Sequence, residues 1–307
     1  MRRRIILLGF LVLFSIMTSS CASAQSAQVE SEGLKVLAAE SFLGDIAQNV
    51  AGTRLDVETI IPPGADPHEF EPAPADVVAI TKSKVLIANG LGYEAWLTKT
   101  LENMDSQQLV IIASEGLKPS PDASGENPDG DPHMWMNPLN VIRYVENIRD
   151  GLTKADPEGA EIYAQNAQAY ISQLKDLDQW VRNEVDQIPQ EKRLLVTNHD
   201  ALGYFADTYG FKIVGAVIPS VTDQASPSAQ EMAALIETIK SSGAPAIFMD
   251  IEENPVLAEQ IAAETGVRLV TDIYVEGISS PDGPAPTYIE MIKHDVLQIV
   301  ETLKHRP

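Results

Sequence analysis

Residues 157–189, PEGAEIYAQNAQAYISQLKDLDQWVRNEVDQIP, carry neither glycine nor proline between Gly159 and Pro189. Tyr163, Ala167, Tyr170, Leu174, Leu177, Val181, Val185 and Ile188 fall at spacings of three and four. That is one apolar stripe on one helix. At 1.5 Å per residue such a helix runs roughly 45 Å. A rod of that length in the middle of a chain can brace two lobes, and holds them more rigidly than a loop would.

On both sides of the rod, strand-like runs alternate with helical ones. The first half offers LKVLAAE (34–40), LDVETII (55–61), KVLIANG (84–90) and LVIIAS (109–114) as strands. The second offers RLLVTNH (193–199), FKIVGAVI (211–218), PAIFMDI (245–251) and VRLVTDIYV (267–275). Segments such as FLGDIAQNVAG and PSAQEMAALIETIKSSG, with helical spacing, lie between them. This alternation implies βαβ units and largely parallel sheets. The expected fold class is therefore α/β, with two lobes built on parallel-rich sheets and joined by one long, rigid backbone helix. Several helix starts pair a short polar residue with proline: Asn137-Pro138, Asp156-Pro157, Ser226-Pro227 and Asn254-Pro255. The polar side chain accepts from orphan first-turn amides, and proline suits the first helical position.

The chain opens MRRRIILLGFLVLFSIMTSSCASAQ. Three arginines precede an apolar run of about a dozen residues, too short to span a bilayer comfortably. The segment reads as a secretory signal. Two endings stay open. Ala22-Ser23-Ala24 fits cleavage after Ala24, whereas Cys21 sits where the lipid-modified cysteine of a bacterial lipoprotein would, although Thr18 stands where leucine is usual. The expected division is signal 1–24, flexible tether 25–33, N-terminal lobe 34–156, linking helix 157–188 and C-terminal lobe 189–307. Cys21 is the only cysteine, so the exported chain relies on its core without a disulfide. Removing the signal takes away three arginines and no acid, which moves the formal charge from −22 to −25. So acidic a chain is no partner for nucleic acid.

The five histidines include a repeated context: Asp-Pro-His at 66–68 and again at 131–133. His68 follows a strand, His133 follows an acidic loop, and His199 ends the strand LLVTN. In open α/β sheets, ligands bind beyond the carboxyl ends of the strands. Lobes that face each other would bring all three imidazoles into one cleft. A lone loop histidine is more often a surface or capping residue, but the prolines at 67 and 132 restrict the approach to two of these. Three imidazoles suit Zn²⁺ with a fourth ligand, for which Asp272 and Glu276 both stand at the end of a second-lobe strand. The HExxH zinc-protease pattern is absent. His294 and His305 read as structural or surface residues.

PPGADPHEFEP, DPHMWMNP, TNHDALGYFADTYGF, APAIFMDIEENP and IYVEGISSPDGPAPTYIEMIKHD together resemble the ZnuA/TroA group, the metal-binding proteins of zinc/manganese ABC importers. The resemblance spans about residues 34–305. It implies two α/β lobes on one long helix and the ligand set His68, His133, His199 and Glu276, with Asp272 as the fallback. The family usually has aspartate in the last place. Histidine in third place goes with zinc, glutamate with manganese. The His-rich loop of some zinc members is missing; the acidic SPDASGENPDGD (120–131) stands in its place and reads as a solvated loop. The implied function is capture of Zn²⁺, with Mn²⁺ as the alternative, outside the cytoplasmic membrane and delivery to a membrane permease. The protein is expected to be monomeric and not an enzyme. A zinc hydrolase and a surface adhesin, the latter a role linked with the cell-adhesion members of the family, remain as rival readings.

Overall fold

The computed structural model describes residues 34–102, 108–122, 124–125, 127–222 and 227–304. The signal segment with Cys21 and Ala24, the tether, Ser226 and His305 lie outside the described residues.

The first part of the chain runs β1 (Val36–Ala38), α1 (Ser41–Ala51), β2 (Val57–Thr59), α2 (Pro74–Lys82), β3 (Val85–Ala88), α3 (Ala95–Glu102) and β4 (Leu109–Ile112). Two helices follow, α4 (Pro138–Ala155) and α5 (Ala160–Val185). The second part runs β5 (Leu194–Thr197), α6 (Gly203–Tyr209), β6 (Lys212–Ala216), α7 (Ala229–Ser242), β7 (Ala246–Asp250), α8 (Val256–Thr265), β8 (Arg268–Ile273) and α9 (Tyr288–Lys304). Each half forms a four-stranded sheet, in the orders β2-β1-β3-β4 and β6-β5-β7-β8. Every pairing is parallel. The chain is α/β with two lobes.

In both sheets the order reverses beside the first strand, between β1 and β3 and between β5 and β7. Loops leaving these neighbouring strands diverge, and a crevice opens at their carboxyl ends. All eight strands are shorter than the apolar runs that announce them. The surplus residues, such as Ala39, Ile61, Val217 and Val275, are buried in the loops that leave the strands. Apolar content signals burial, and only hydrogen-bond pairing decides where a strand ends.

The central stripe divides into a 3₁₀ turn at Pro157–Gly159 and then α5. Tyr163, Ala167, Tyr170, Leu174, Leu177, Val181 and Val185 all face inward along it. One continuous core takes in β1, α1, α4, α5 and α9, so apolar packing runs unbroken from one lobe into the other. Buried hydrogen bonds cross with it. The Trp135 indole N–H donates to the Val275 carbonyl at 2.8 Å, and Tyr288 Oη donates to the Trp135 carbonyl at 2.7 Å. The Ile278 amide donates to Ser41 Oγ at 3.0 Å.

The expected caps fare unevenly. Asn137 caps α4 by accepting from the Leu139 amide, and Asn254 accepts from the Val256 amide at the start of α8. Asp156 makes no side-chain cap. Its carboxylate is taken by Arg54, at 2.7 and 2.9 Å, and by Tyr163 Oη. A bidentate guanidinium outcompetes an exposed amide for the same oxygens. At α7 the cap is Ser228, in a reciprocal box with Glu231.

Candidate metal centre

Each histidine arrives at the cleft by a different local device. Residues 62–67 leave β2 with prolines at 62, 63 and 67, and Asp66 Oδ1 accepts from the His68 amide at 2.7 Å. His133 opens the 3₁₀ turn Met134–Met136, and Trp135, wholly buried and stacked on Phe42, fixes that turn in the core. His199 stands two residues past β5, at the switch point of the second sheet. Glu276 lies three residues past β8.

These four side chains converge, each offering one ligand atom, with all four atoms within 4.8 Å of one another. His133 Nε2 is 3.2 Å from Glu276 Oε1, and His199 Nε2 is 3.0 Å from the same oxygen. The two imidazole nitrogens are 3.3 Å apart, and His68 Nε2 is 3.7 Å from Glu276 Oε2. Ligands about 2.0–2.1 Å from a tetrahedral ion are separated by about 3.3 Å. His133, His199 and Glu276 stand at that spacing, and His68 lies a little further out. His133, His199 and Glu276 are buried.

Asp272, the fallback ligand, is not in this cluster. It lies within β8, half exposed, with Oδ2 accepting from Gln298 at 2.9 Å. Four residues further on, past the end of the strand, the chain has turned into the cleft and delivers Glu276 instead. His294 is structural: its Nε2 donates to the Asp272 carbonyl at 2.8 Å.

Carboxylates hold two of the imidazoles from behind. Asp131 Oδ1 lies 2.8 Å from His133 Nδ1, and Glu253 Oε1 lies 2.5 Å from His199 Nδ1. In both rings this fixes Nδ1 as the donor and turns Nε2 toward the cluster. Asp66 instead accepts from the His68 main-chain amide, and the carboxylate behind His199 is Glu253 rather than its chain neighbour Asp200. Glu253 stands past β7, the strand beside the one that delivers His199. Sequence adjacency therefore misses it, whereas sheet order points to it. Asp250 was also missed. Its Oδ2 accepts from the amides of Val275 and Glu276 at 2.5 and 3.0 Å, which shapes the turn presenting Glu276. Tyr93 Oη donates to Glu276 Oε2.

The charges are strongly coupled. Burial alone would raise the Glu276 carboxyl, but His133 and then His68 reverse this and hold it well below its ordinary range. Burial opposes the charged form of His133, yet Glu276 and Asp131 prevail and raise the imidazole to about 9. His199 is likewise raised, against burial, by Glu253 and Glu276. Burial, followed by the repulsion of Glu276, pushes Asp250 up to about 7; burial, with Asp250 and Glu276 near, pushes Glu252 up to about 9. A cavity of about 190 Å³ lies beside the cluster, lined by His68, Tyr93, Asn127, Pro132, Val221 and Thr222.

Residues 36–302 match the family described as ZnuA, "Zinc-uptake complex component A periplasmic". The chain is 35% identical over 296 residues to the "Manganese-binding lipoprotein MntA" of Halalkalibacterium halodurans, covering 95% of this chain and 96% of that one. It is 30% identical over 316 residues to the "Iron ABC transporter substrate-binding lipoprotein MtsA" of Streptococcus pyogenes serotype M1, covering 98% of each. Among solved structures, the periplasmic zinc-binding protein TroA of Treponema pallidum superposes with a TM-score of 0.81 at 27% identity, covering 89% of this chain and 99% of that one.

Proposed function

Since the chain belongs to the ZnuA family of periplasmic metal-uptake components, we propose that it captures a divalent transition metal ion, Zn²⁺ in first place, and hands it to the permease of an ABC importer. It works outside the cytoplasmic membrane, as a substrate-binding protein. Among the described residues no helix is long and apolar enough to cross a membrane. Cys21 is the proposed lipid anchor, in line with the lipoprotein names of the relatives. The proposed division is two lobes, 34–156 and 189–307, on the helix between them, acting as a monomer.

The ligands in this reading are His68, His133, His199 and Glu276. One observation carries it: four ligand atoms from four separate loops lie within 4.8 Å of one another, three of them 3.0–3.3 Å apart. Three nitrogens and one carboxylate favour Zn²⁺, whereas Mn²⁺ takes more oxygen. The protein supplies the ion with neutral imidazole and one anionic oxygen, and Asp131 and Glu253 keep two of the rings aimed. Manganese remains as a second reading because the similar protein of Halalkalibacterium halodurans is named for it.

Calorimetric titration of chelator-stripped protein with Zn²⁺ tests the reading. One ion per chain is expected, with affinity greatly reduced in Glu276→Ala and unchanged in Asp272→Ala. Equal binding by wild type and Glu276→Ala would remove Glu276 from the ligand set.

A further inference from the structure

His68 differs from the other three ligands in how its segment is anchored. His133, His199 and Glu276 are tied into the core through Trp135, through β5 and Glu253, and through Asp250 respectively. The segment before His68 contains three prolines, which have no amide hydrogen to donate. Ile61 still pairs with Ala39, and Ala65 closes a turn on Pro62. Between them the Gly64 amide crosses to the other lobe and donates to Glu252 Oε1 at 3.0 Å.

Glu252 is well placed to receive it. It leaves β7 at the switch point, and its own amide donates to Asp250 Oδ1 at 2.8 Å. Its carboxyl also rests on the Glu276 turn. A β-carbon added to Gly277 would stand 2.8 Å from Glu252 Oε1 and 3.0 Å from Ser41 Oγ, so glycine is what lets the carboxyl settle there. One side chain thus spans the turn bearing Glu276 and the loop bearing His68. Glu252 Oε2 is buried and, among the described residues, finds no hydrogen-bond partner. Burying an oxygen without a partner costs stability, and the bond from the Gly64 amide to the other oxygen offsets part of that cost. The 190 Å³ cavity opens on the His68 side of the cluster, so an ion leaving that way passes His68 first.

We propose that Glu252 is a positioning residue for metal retention: it fastens the loop carrying His68 across the cleft and thereby sets how long a captured ion stays. The inference rests on the metal-capture reading above. It requires the reach of the side chain to the Gly64 amide, not its charge. A neutral amide of the same length keeps that reach and is a fair replacement.

Two conservative variants separate reach from charge. Glu252→Asp keeps the carboxyl but withdraws it by one methylene; Glu252→Gln keeps the length and an acceptor oxygen. Wild type and both variants are loaded with Zn²⁺, then mixed with excess chromophoric chelator, and the release rate is read by stopped flow at pH 7. Glu252→Asp should release about tenfold faster, within the range seen when groups supporting a ligand are altered. Glu252→Gln should release near the wild-type rate, and the rate of Zn²⁺ uptake should change little in either. Equal release by wild type and Glu252→Asp would overturn the inference and leave metal capture standing. So would fast release by Glu252→Gln with slow release by Glu252→Asp, which would make charge the cause. A wild-type protein that retains no Zn²⁺ would overturn zinc capture, and this inference with it.

Discussion

At the scale of single residues, the charges at the site hold one another. Glu276 keeps its carboxylate because protonated imidazoles face it, and His133 keeps its proton because Glu276 and Asp131 face it. The signs follow from linkage. The stabilisation from His133 is fully present below its ordinary 6.5 and is lost as pH rises through about 9. That from Glu276 is present above its ordinary 4.5 and is lost as pH falls toward its depressed folded value. A metal ion needs neutral imidazole, so binding at pH 7 must expel protons, and affinity should climb with pH up to about 9. Calorimetry in two buffers of different ionisation enthalpy should show about one proton or more released per ion. No buffer dependence would contradict the charge pattern. Glu253→Ala should weaken binding by about 10–100-fold through the loosened His199 ring, read by chelator competition. The three histidines were legible because histidine is rare in this chain and the setting of two of them repeats, whereas Glu276 came forward over Asp272 only through the family resemblance. Glu253, Asp250 and Glu252 were not, because one carboxylate in an acidic sequence looks like any other until the sheet order is known.

At the scale of elements, the strand alternation carried the fold class, and the parallel pairing followed from it. Boundaries did not follow, since buried loop residues such as Val275 look like strand residues. The starts at Asn137-Pro138 and Asp156-Pro157 were both legible, but the side-chain cap forms at Asn137 and not at Asp156, whose carboxylate Arg54 takes. The packing of α4 on β4 offers a test. Gly151 lies in α4, and a β-carbon there would meet Ile111 Cδ1 at 2.2 Å and Cγ1 at 2.4 Å. Alanine gains about 1 kcal/mol of helix propensity over glycine. Overpacking against a buried isoleucine costs about 1–3 kcal/mol. With two atoms of Ile111 in the way, the second effect should win. Gly151→Ala should therefore lower the midpoint of urea unfolding; a raised midpoint would show that Ile111 has room to move.

At the scale of the whole molecule, the lobes share a core and are tied by buried bonds through Trp135, Ser41 and Tyr288. A molecule built this way should not close like a hinge. Spin labels at Ala75→Cys and Glu237→Cys, one on each lobe, should change separation by roughly 1–2 Å between metal-free and loaded protein, the scale of packed-element shifts. A much larger change would mean that the shared core parts on release. The central proposal is that three histidines and one glutamate bind zinc in preference to manganese. Its most direct test is native mass spectrometry of the chain from residue 25, stripped with chelator and then offered equimolar Zn²⁺ and Mn²⁺. One retained zinc, lost in His199→Ala, is the expected result; retained manganese, or no retained metal at all, would contradict it.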